Sequence, residues 1–223
     1  MKNKILGGVI FLVFVLAVYG VVVLAGCSKT EIANINNQGV NIICFGNSIT
    51  YGYGANPGED DYPTHLSKML NIPVLSAGVD GDTSTDAVDR LKVDVLQRQP
   101  LLVIVEFGGN DFLRKVPLEK TVKNMDYIIS KSLEAGAMVA IMDMSVGIIM
   151  ENHGKEYRRL AKKYKAILIP HILSDILTNA SLKSDFVHPN GLGYKVLAQK
   201  VYRFILPYLN QNSIYKQFGV KKP

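Results

Sequence analysis

Residues 41–54, NIICFGNSITYGYG, form a short apolar segment that continues directly into glycines, an asparagine and a serine. An uninterrupted apolar run is typical of a strand buried on both faces, as in a parallel sheet. The glycine-rich residues that follow are typical of a turn. Because open parallel sheets bind ligands beyond the carboxyl ends of their strands, Ser48 is a candidate nucleophile there. The alternative is an ordinary strand that ends in turn residues.

The same alternation continues along the chain. Apolar strand candidates lie at 40–45, 72–75, 101–106, 137–142 and 166–169. Segments with helical spacing lie at 60–70, 83–98, 117–135, 152–164 and 191–208. Apolar strands separated by helices indicate a parallel sheet that is covered on both faces. The sequence therefore predicts an α/β domain over residues 40–210, a three-layer α/β/α sandwich with about five parallel strands, followed by a basic C-terminal tail over 211–223.

Residues 1–26 differ in composition from the rest of the chain. Lys2 and Lys4 precede an uncharged apolar run that ends in LAGC, residues 24–27. This pattern indicates an export signal, and the small residues before Cys27 resemble the lipobox of bacterial lipoproteins, which implies cleavage there and acylation of Cys27. An uncleaved transmembrane anchor is the alternative, because about 20 apolar residues also span a bilayer. Both interpretations predict an extracytoplasmic, membrane-attached domain, with residues 27–39 as a polar tether.

Composition and charge narrow the function classes. The chain is 48% hydrophobic, which argues against a disordered protein, and its formal net charge is +6. Its basic residues are not interleaved with aromatic ones, so a solvated surface or attraction to anionic lipid headgroups explains the charge, and no nucleic-acid partner is expected. With Cys27 lipidated, Cys44 is expected to be a buried, inert thiol without a disulfide. The histidines are scattered without the spacing of metal ligands, so no metal is expected.

A nucleophilic serine needs a base, and the base needs a group that orients it. The loop SDFVHPNGLGY, residues 184–194, places Asp185 three residues before His188. An aspartate at that spacing can reach Nδ1 of the imidazole across one turn and leave Nε2 facing outward. Taken alone, the loop is also compatible with an N-cap aspartate beside an incidental surface histidine. The other histidines are expected to have surface or capping roles: His65, His153 and His171.

Two further loops at predicted strand ends offer donors for the negative oxygen of a tetrahedral intermediate. Gly81 in GVDGDTS lacks a Cβ, so its backbone N–H can approach a ligand closely, and Asn110 in FGGND carries an amide donor. Each loop alone is weak evidence, since glycine and asparagine are ordinary turn residues. The G-x-S-x-G nucleophile elbow is absent because Thr50 holds the place of its second glycine. Phosphate-binding and dinucleotide-binding glycine patterns are also absent.

Together, the blocks FGNSITYG, AGVDGDTS, EFGGNDFLR and SDFVHPNGLGY resemble those of the SGNH, or GDSL-type, hydrolases in order and separation. The resemblance covers about residues 40–208, and its middle blocks are most similar to the thioesterase and lysophospholipase branch and its arylesterase relatives. It implies a flavodoxin-like fold, Ser48 as nucleophile, and His188 with Asp185 as the base pair. It also implies an oxyanion hole from the Ser48 N–H, Gly81 and Asn110, and hydrolysis of ester, thioester or lysophospholipid bonds through an acyl-enzyme without a cofactor.

One departure from the family pattern and several alternatives remain open. Asn47 stands where the family name records an aspartate; we expect it to hold the loop by hydrogen bonds without proton chemistry. Alternative functions are O-deacetylation of cell-envelope carbohydrate by the same residues, or a catalytically silent protein that binds glycans or acyl chains. The loop DMSVGIIMENHG, residues 143–154, either lines an acyl site or packs a strand end against the next helix.

Overall fold

The predicted sheet is present in the computed structural model, which describes residues 31–219 of the chain. Its five strands are all parallel: β1 (Asn41–Gly46), β2 (Val74–Gly78), β3 (Pro100–Glu106), β4 (Met138–Met142) and β5 (Ile167–Ile169). They lie in the order β2-β1-β3-β4-β5. Strand β3 is central and every one of its residues is buried, which explains why its sequence is apolar almost throughout.

Helices cover the sheet. In chain order, the described residues contain α1 (Ser48–Tyr51), α2 (Tyr62–Leu70), α3 (Ser84–Asp94), α4 (Gly109–Leu113), α5 (Leu118–Glu134), α6 (Glu151–Tyr164), α7 (Ser174–Leu177), α8 (Gly191–Leu209) and α9 (Ser213–Gly219). Short 3₁₀ helices lie at Leu96–Arg98 and Ala180–Leu182. The long helices match the predicted helical segments, whereas the short α1 and α4 at strand ends were not predicted.

The sheet separates two apolar cores, as a three-layer sandwich requires. Along β1, Ile42 and Cys44 point into one core, and Ile43 and Phe45 point into the other. This alternation is the period of two that any strand imposes on its side chains. Helices α2 and α8 cover the first core, and α3, α5 and α6 cover the second. The predicted α/β/α arrangement with five parallel strands is confirmed.

The folded domain is longer at both ends than the sequence predicted. Ile32 is buried in the first core, so residues 32–39 pack onto the domain instead of forming part of the predicted tether 27–39. Tyr215 in α9 is buried in the same core, so residues 211–219 also belong to the domain and not to the predicted tail. Each segment carries too few apolar residues for its periodicity to reveal this burial.

Some predictions concern residues beyond this range. The predicted signal peptide over 1–26 and the predicted lipidation site Cys27 lie outside the described residues. Within residues 31–219, no helix has the length and apolar character needed to cross a membrane. The same residues contain no group of three or more His, Cys, Asp and Glu side chains placed to hold a metal ion. Cys44 is fully buried, and this burial raises the pKa of its thiol to about 12.

Candidate active site

Ser48 is the first residue of α1, directly beyond the carboxyl end of β1. The chain changes from strand to helix here because Asn47 caps the helix: its side-chain oxygen accepts a hydrogen bond of 3.2 Å from the N–H of Ile49. Such a cap satisfies an N–H that has no partner within the helix. Ser48 is buried, with 6% of its surface exposed. The expectation that Asn47 holds this loop by hydrogen bonds agrees with the geometry.

His188 and Asp185 lie beside this serine. Nε2 of His188 is 3.0 Å from Oγ of Ser48, and Nδ1 of the same ring is 2.7 Å from Oδ2 of Asp185. The structure thus brings together three residues that the sequence separates by up to 140 positions. In this chain of contacts, the imidazole can remove the proton from the hydroxyl, and the carboxylate can stabilise the resulting imidazolium.

Asp185 also organises its own loop. Its Oδ1 accepts hydrogen bonds of 2.8 Å from the backbone N–H groups of Val187 and His188. Burial alone would raise the pKa of Asp185, but the hydrogen bonds from the His188 ring and from these two N–H groups outweigh it and lower the pKa. The N-cap of α8 is Asn190, so the interpretation of Asp185 as a helix cap is wrong. Asp185 is therefore an ionised carboxylate aimed at the imidazole.

The two predicted oxyanion donors lie on adjoining loops. The amide nitrogen of Asn110 donates a 2.8 Å hydrogen bond to the carbonyl oxygen of Asp82, next to Gly81. Gly81 has φ of +81°, a left-handed conformation that favours glycine. Asn110 lines the same cavity as Ser48 and His188. Gly81 itself does not line the cavity; it precedes Asp82, whose carbonyl oxygen accepts the hydrogen bond from Asn110.

Arg90, which the sequence did not single out, ties these loops to the sheet. Its guanidinium donates 2.9 Å hydrogen bonds to the carbonyl oxygens of Gly46 and Ala77, at the ends of β1 and β2. It also pairs with Asp82 at 2.6 Å and stacks 4.5 Å from the ring centroid of Phe45. In the sequence Arg90 looks like one of several charges on an amphipathic helix, so no local signal distinguishes it.

Glu106 is a second supporting residue that sequence reasoning missed. It is fully buried at the end of β3, where its Oε2 accepts hydrogen bonds from the N–H of Asn47 at 3.1 Å and the hydroxyl of Thr50 at 2.9 Å. Burial raises the pKa of Glu106 to about 8, although both hydrogen bonds oppose the shift. The only signal for it in the sequence is an acidic residue that closes the apolar strand PLLVIVE. Glu106 thus supports the serine loop through its hydrogen bonds with Asn47 and Thr50.

An apolar cavity of about 410 Å³ opens beside Ser48. This size falls within the usual range for small-molecule sites, about 300–1,000 Å³. Much of its wall consists of aliphatic and thioether side chains. They come from the loop after β4, from helix α7 and from the residue that precedes α7: Met144, Val146, Ile149, Met150, Leu173 and Leu177. The loop 143–154 therefore lines the cavity, while its Met144 and Met150 also pack into the first core. The loop therefore both lines this cavity and packs a strand end against the core.

Large apolar side chains stand exposed at the mouth of this cavity. Phe186 is 92% exposed and Ile148 is 89% exposed, and Leu113 and Ile149 are also more than half exposed. We call these four residues the apolar rim. Leu113, Ile149 and Phe186 line the cavity, and Ile148 adjoins Ile149. Exposed apolar groups that cluster at a binding site are typical of surfaces that contact apolar ligands or partners.

The remaining histidines do not contact Ser48. His153 is 7% exposed, and its ring lies 5.8 Å from that of Phe112 and 6.4 Å from that of Tyr157. The predicted surface or capping role of His153 is therefore wrong; its burial also lowers its pKa. His171 is exposed, with Nδ1 3.2 Å from Oγ of Ser145. His65 is partly buried in α2.

Comparisons with known proteins identify relatives of this chain. The model of the GDSL-like Lipase/Acylhydrolase family matches residues 44–196. An arylesterase of Vibrio mimicus is 28% identical over 182 residues, which cover 75% of this chain and 89% of the relative. The thioesterase 1/protease 1/lysophospholipase L1 of Escherichia coli strain K12 is 26% identical over 183 residues, or 77% of this chain and 86% of that protein.

Solved structures and one further relative extend the comparison. The psychrotrophic esterase EstA from Pseudoalteromonas sp., in a structure inhibited by monoethylphosphonate, superposes with a TM-score of 0.70 at 25% identity. That match covers 77% of this chain and 99% of the esterase. An uncharacterized lipoprotein, YqeF of Bacillus subtilis strain 168, is 28% identical over 140 residues, which cover 56% of each chain.

Proposed function

Because the chain belongs to the GDSL-like lipase/acylhydrolase family and is an ester-bond hydrolase, we propose that Ser48 is its nucleophile, with His188 as base and Asp185 as the orienting acid. The observation that carries this proposal is the contact of 3.0 Å between Nε2 of His188 and Oγ of Ser48, backed by the contact of 2.7 Å to Asp185. Both distances lie within the hydrogen-bond reach that proton transfer requires.

The reaction proceeds in two halves. In the first, Oγ of Ser48 attacks the acyl carbonyl while Nε2 of His188 takes the hydroxyl proton. The tetrahedral intermediate collapses, the bond from the carbonyl carbon to the leaving oxygen or sulfur breaks, and the imidazolium returns its proton to that leaving group. In the second half, water gives its proton to His188 and attacks the acyl-enzyme. Collapse then breaks the bond from the carbonyl carbon to Oγ of Ser48, Oγ takes the proton back from His188, and the carboxylic acid is released.

The charge that develops on the carbonyl oxygen needs donors that are in place before the reaction. We assign this role to the N–H groups of Ser48 and Gly81 and to the side-chain amide of Asn110. The amide of Asn110 has two hydrogens, and the bond to Asp82 uses one of them. That bond fixes the amide plane, so the second hydrogen is held in a constant direction.

The apolar cavity supports acyl esters as the substrate class. Its volume of about 410 Å³ greatly exceeds the share of one water molecule in the liquid, about 30 Å³, so it has room for an acyl chain of several carbons. Its largely apolar wall favours hydrocarbon over sugar. The relatives named arylesterase and thioesterase/lysophospholipase keep oxygen esters, thioesters and lysophospholipids in the substrate class. An extracytoplasmic location disfavours acyl-coenzyme A as the natural substrate.

That location is part of the proposal. The basic start, the apolar run and LAGC at residues 24–27 support a lipoprotein that is cleaved before Cys27 and acylated on it. The relative YqeF is itself named a lipoprotein. Each acyl chain contributes about 0.8 kcal/mol per buried methylene, so two or more chains hold a protein stably at a bilayer. The domain would then work outside the cytoplasm while attached to a membrane.

A fluorophosphonate probe tests the nucleophile. We expect one label per wild-type chain and none on Ser48→Ala. The matched control is Ser145→Ala, because Ser145 is also buried and hydrogen-bonded to a histidine ring, yet lies outside the proposed triad. Labelling of Ser48→Ala at the wild-type rate would place the nucleophile elsewhere. A wild-type protein that takes no label would favour the silent binding protein.

A series of p-nitrophenyl esters from acetate to dodecanoate, run beside acetylated sugars, tests the substrate class. The apolar cavity predicts that kcat/KM rises with chain length until the chain fills the cavity. A maximum at acetate, together with faster release of acetate from sugars, would instead favour the carbohydrate deacetylase.

A further inference from the structure

The chain enters the domain at the end of the sheet opposite Ser48. The N–H of Ala33 donates a 3.0 Å hydrogen bond to the carbonyl oxygen of Lys165, which precedes β5. The side-chain amide of Asn34 donates to the carbonyl oxygens of Leu133 at 2.9 Å and Ala137 at 3.0 Å, and Ala137 directly precedes β4. These contacts lie at the amino ends of strands, whereas Ser48 follows a carboxyl end.

The rest of the entry segment, residues 32–39, is fixed at the same end of the sheet. The amide of Asn37 donates a 3.0 Å hydrogen bond to the carbonyl oxygen of Leu101, near the start of β3. The amide of Asn212 donates 2.9 Å hydrogen bonds to the carbonyl oxygens of Ile35 and Asn37. Because these bonds come in addition to the burial of Ile32, the segment 32–39 is a fixed part of the domain. The covalent link to any upstream anchor therefore starts at this end.

The length of that link limits where the domain can lie. Residues 28–31 are all that separate Cys27 from Ile32. At about 3.6 Å per residue, the chain from Cys27 to Ile32 spans at most about 18 Å. A domain of this size has a radius of gyration near 16 Å and is therefore about 40 Å across. The link is shorter than the distance from one end of the domain to the other.

We propose that the lipid anchor on Cys27 holds the active site facing away from the anchoring bilayer, so that the enzyme hydrolyses acyl esters presented from outside that bilayer and not its lipids. To bring Ser48 to its own bilayer, the domain would have to invert, which would carry Ile32 farther from the surface than residues 28–31 can reach. This inference rests on the proposed esterase function and on acylation of Cys27.

The apolar rim agrees with this orientation. The apolar rim stands exposed around the cavity mouth, on segments that follow the carboxyl ends of the strands: Leu113 ends helix α4, and Ile148, Ile149 and Phe186 lie in loops. An anchored domain presents these side chains to the space beyond its own membrane. Amphiphilic esters that arrive there, dispersed in water or carried by a separate lipid surface, can contact the rim with their acyl chains.

Full-length lipidated protein reconstituted in vesicles tests the inference. The reporter is a fluorogenic octanoyl ester attached to the headgroup of a two-chain lipid, which does not leave its bilayer. It is placed either in the vesicles that hold the enzyme, which are immobilised apart from one another, or in separate, enzyme-free vesicles, and a free form of the same ester is added in a third assay. The test variant carries a flexible Gly/Ser insertion of about 30 residues after Lys29, which adds a mean reach of about 30 Å. The same insertion with Ser48→Ala is the inactive control.

We expect the native enzyme to hydrolyse the reporter in separate vesicles and to spare the reporter in its own. The insertion should raise own-vesicle hydrolysis by about tenfold or more, because a link that cannot span two sites contributes almost no effective concentration. Hydrolysis of the free ester should not change. Equal own-vesicle rates for the native and extended links would overturn the inference. No hydrolysis of the free ester by any form would instead refute the proposed function.

Discussion

The two halves of the candidate catalytic apparatus are supported in opposite ways. The serine loop, residues 47–50, is buried, and Glu106, 59 positions from Asn47, holds it from below. The base loop, residues 185–188, lies at the surface, and the hydrogen bonds of Asp185 to its own neighbours hold it together. A nucleophile built on the core thus depends on distant residues, whereas a base built on a surface loop depends on one local carboxylate. The two loops should respond differently to mutation.

The largest effect is expected from Asp185→Asn. The change removes the carboxylate that fixes the imidazole tautomer and stabilises the imidazolium, and comparable changes in triads cost about 10⁴-fold in kcat. We expect a loss of about a thousandfold or more in kcat for p-nitrophenyl butyrate, with little change in thermal stability because the loop is exposed. The control Asp175→Asn removes an exposed carboxylate outside the loop. A loss of less than tenfold would mean that the loop alone orients His188.

A somewhat smaller effect is expected from Asn110→Ala. Loss of one oxyanion donor costs about a hundred- to a thousandfold in kcat. KM should change little, since the donor acts mainly on charge that develops in the transition state. The matched control is Asn124→Ala, whose amide bonds to the hydroxyls of Ser84 and Thr85 and does not line the cavity. Equal losses of kcat in both variants would show that Asn110 acts through the structure of its loop.

The sequence was most informative where the signal is local or repeated. Strands β1, β3 and β4 could be predicted because a strand covered on both faces must be apolar along its whole length. The pair of Asp185 and His188 could be proposed because a spacing of three residues lets the carboxylate reach the imidazole across a single turn of the chain. Ser48 became a candidate because a strand ends there.

What the sequence could not predict depends on contacts between distant residues. Arg90 looks like an ordinary helix charge until its bonds to Gly46 and Ala77 are seen. Glu106 looks like the polar end of a strand until its bond to Asn47 appears. The packing of Ile32 and Tyr215 escaped prediction because a single buried side chain in a polar segment leaves no periodic pattern.

The support under the serine loop can be tested through pH. The pKa of Glu106 is about 8 in the folded protein, against an ordinary value of 4.5. A folded-state pKa above the unfolded one means that its contribution to stability is fully present below about pH 4.5 and is lost as pH rises towards 8. Glu106→Gln keeps the shape and cannot ionise, so its free energy of unfolding should fall less between about pH 5 and pH 9, by an amount on the order of a few kcal/mol.

Urea unfolding of the wild type and Glu106→Gln at several pH values measures this difference. The control is Glu134→Gln, an exposed carboxylate on α5. Parallel pH profiles for the wild type and Glu106→Gln would mean that Glu106 ionises at its ordinary pKa despite its burial. The serine loop would then rest on a buried carboxylate, and not on a neutral acid.

The smallest effect is expected from Phe186→Ser, which tests whether the base loop depends on anything outside itself. Phe186 lies between Asp185 and His188, yet its side chain is 92% exposed, and the hydrogen bonds of the loop come from the backbone and from the two catalytic side chains. We therefore expect unchanged kcat for p-nitrophenyl acetate. KM for the octanoate should rise about three- to tenfold, because burying apolar area against the rim is worth about 25 cal/mol per Å².

The matched control is Phe218→Ser, since Phe218 is also exposed, at 65%, but lies in α9 with the entry segment at the other end of the sheet. This variant should leave both esters unaffected. A fall in kcat for the acetate on Phe186→Ser, without a fall on Phe218→Ser, would show that the aromatic ring helps to place His188. The base loop would then depend on side-chain packing, as the serine loop does. The two loops would differ only in how strongly they depend on it.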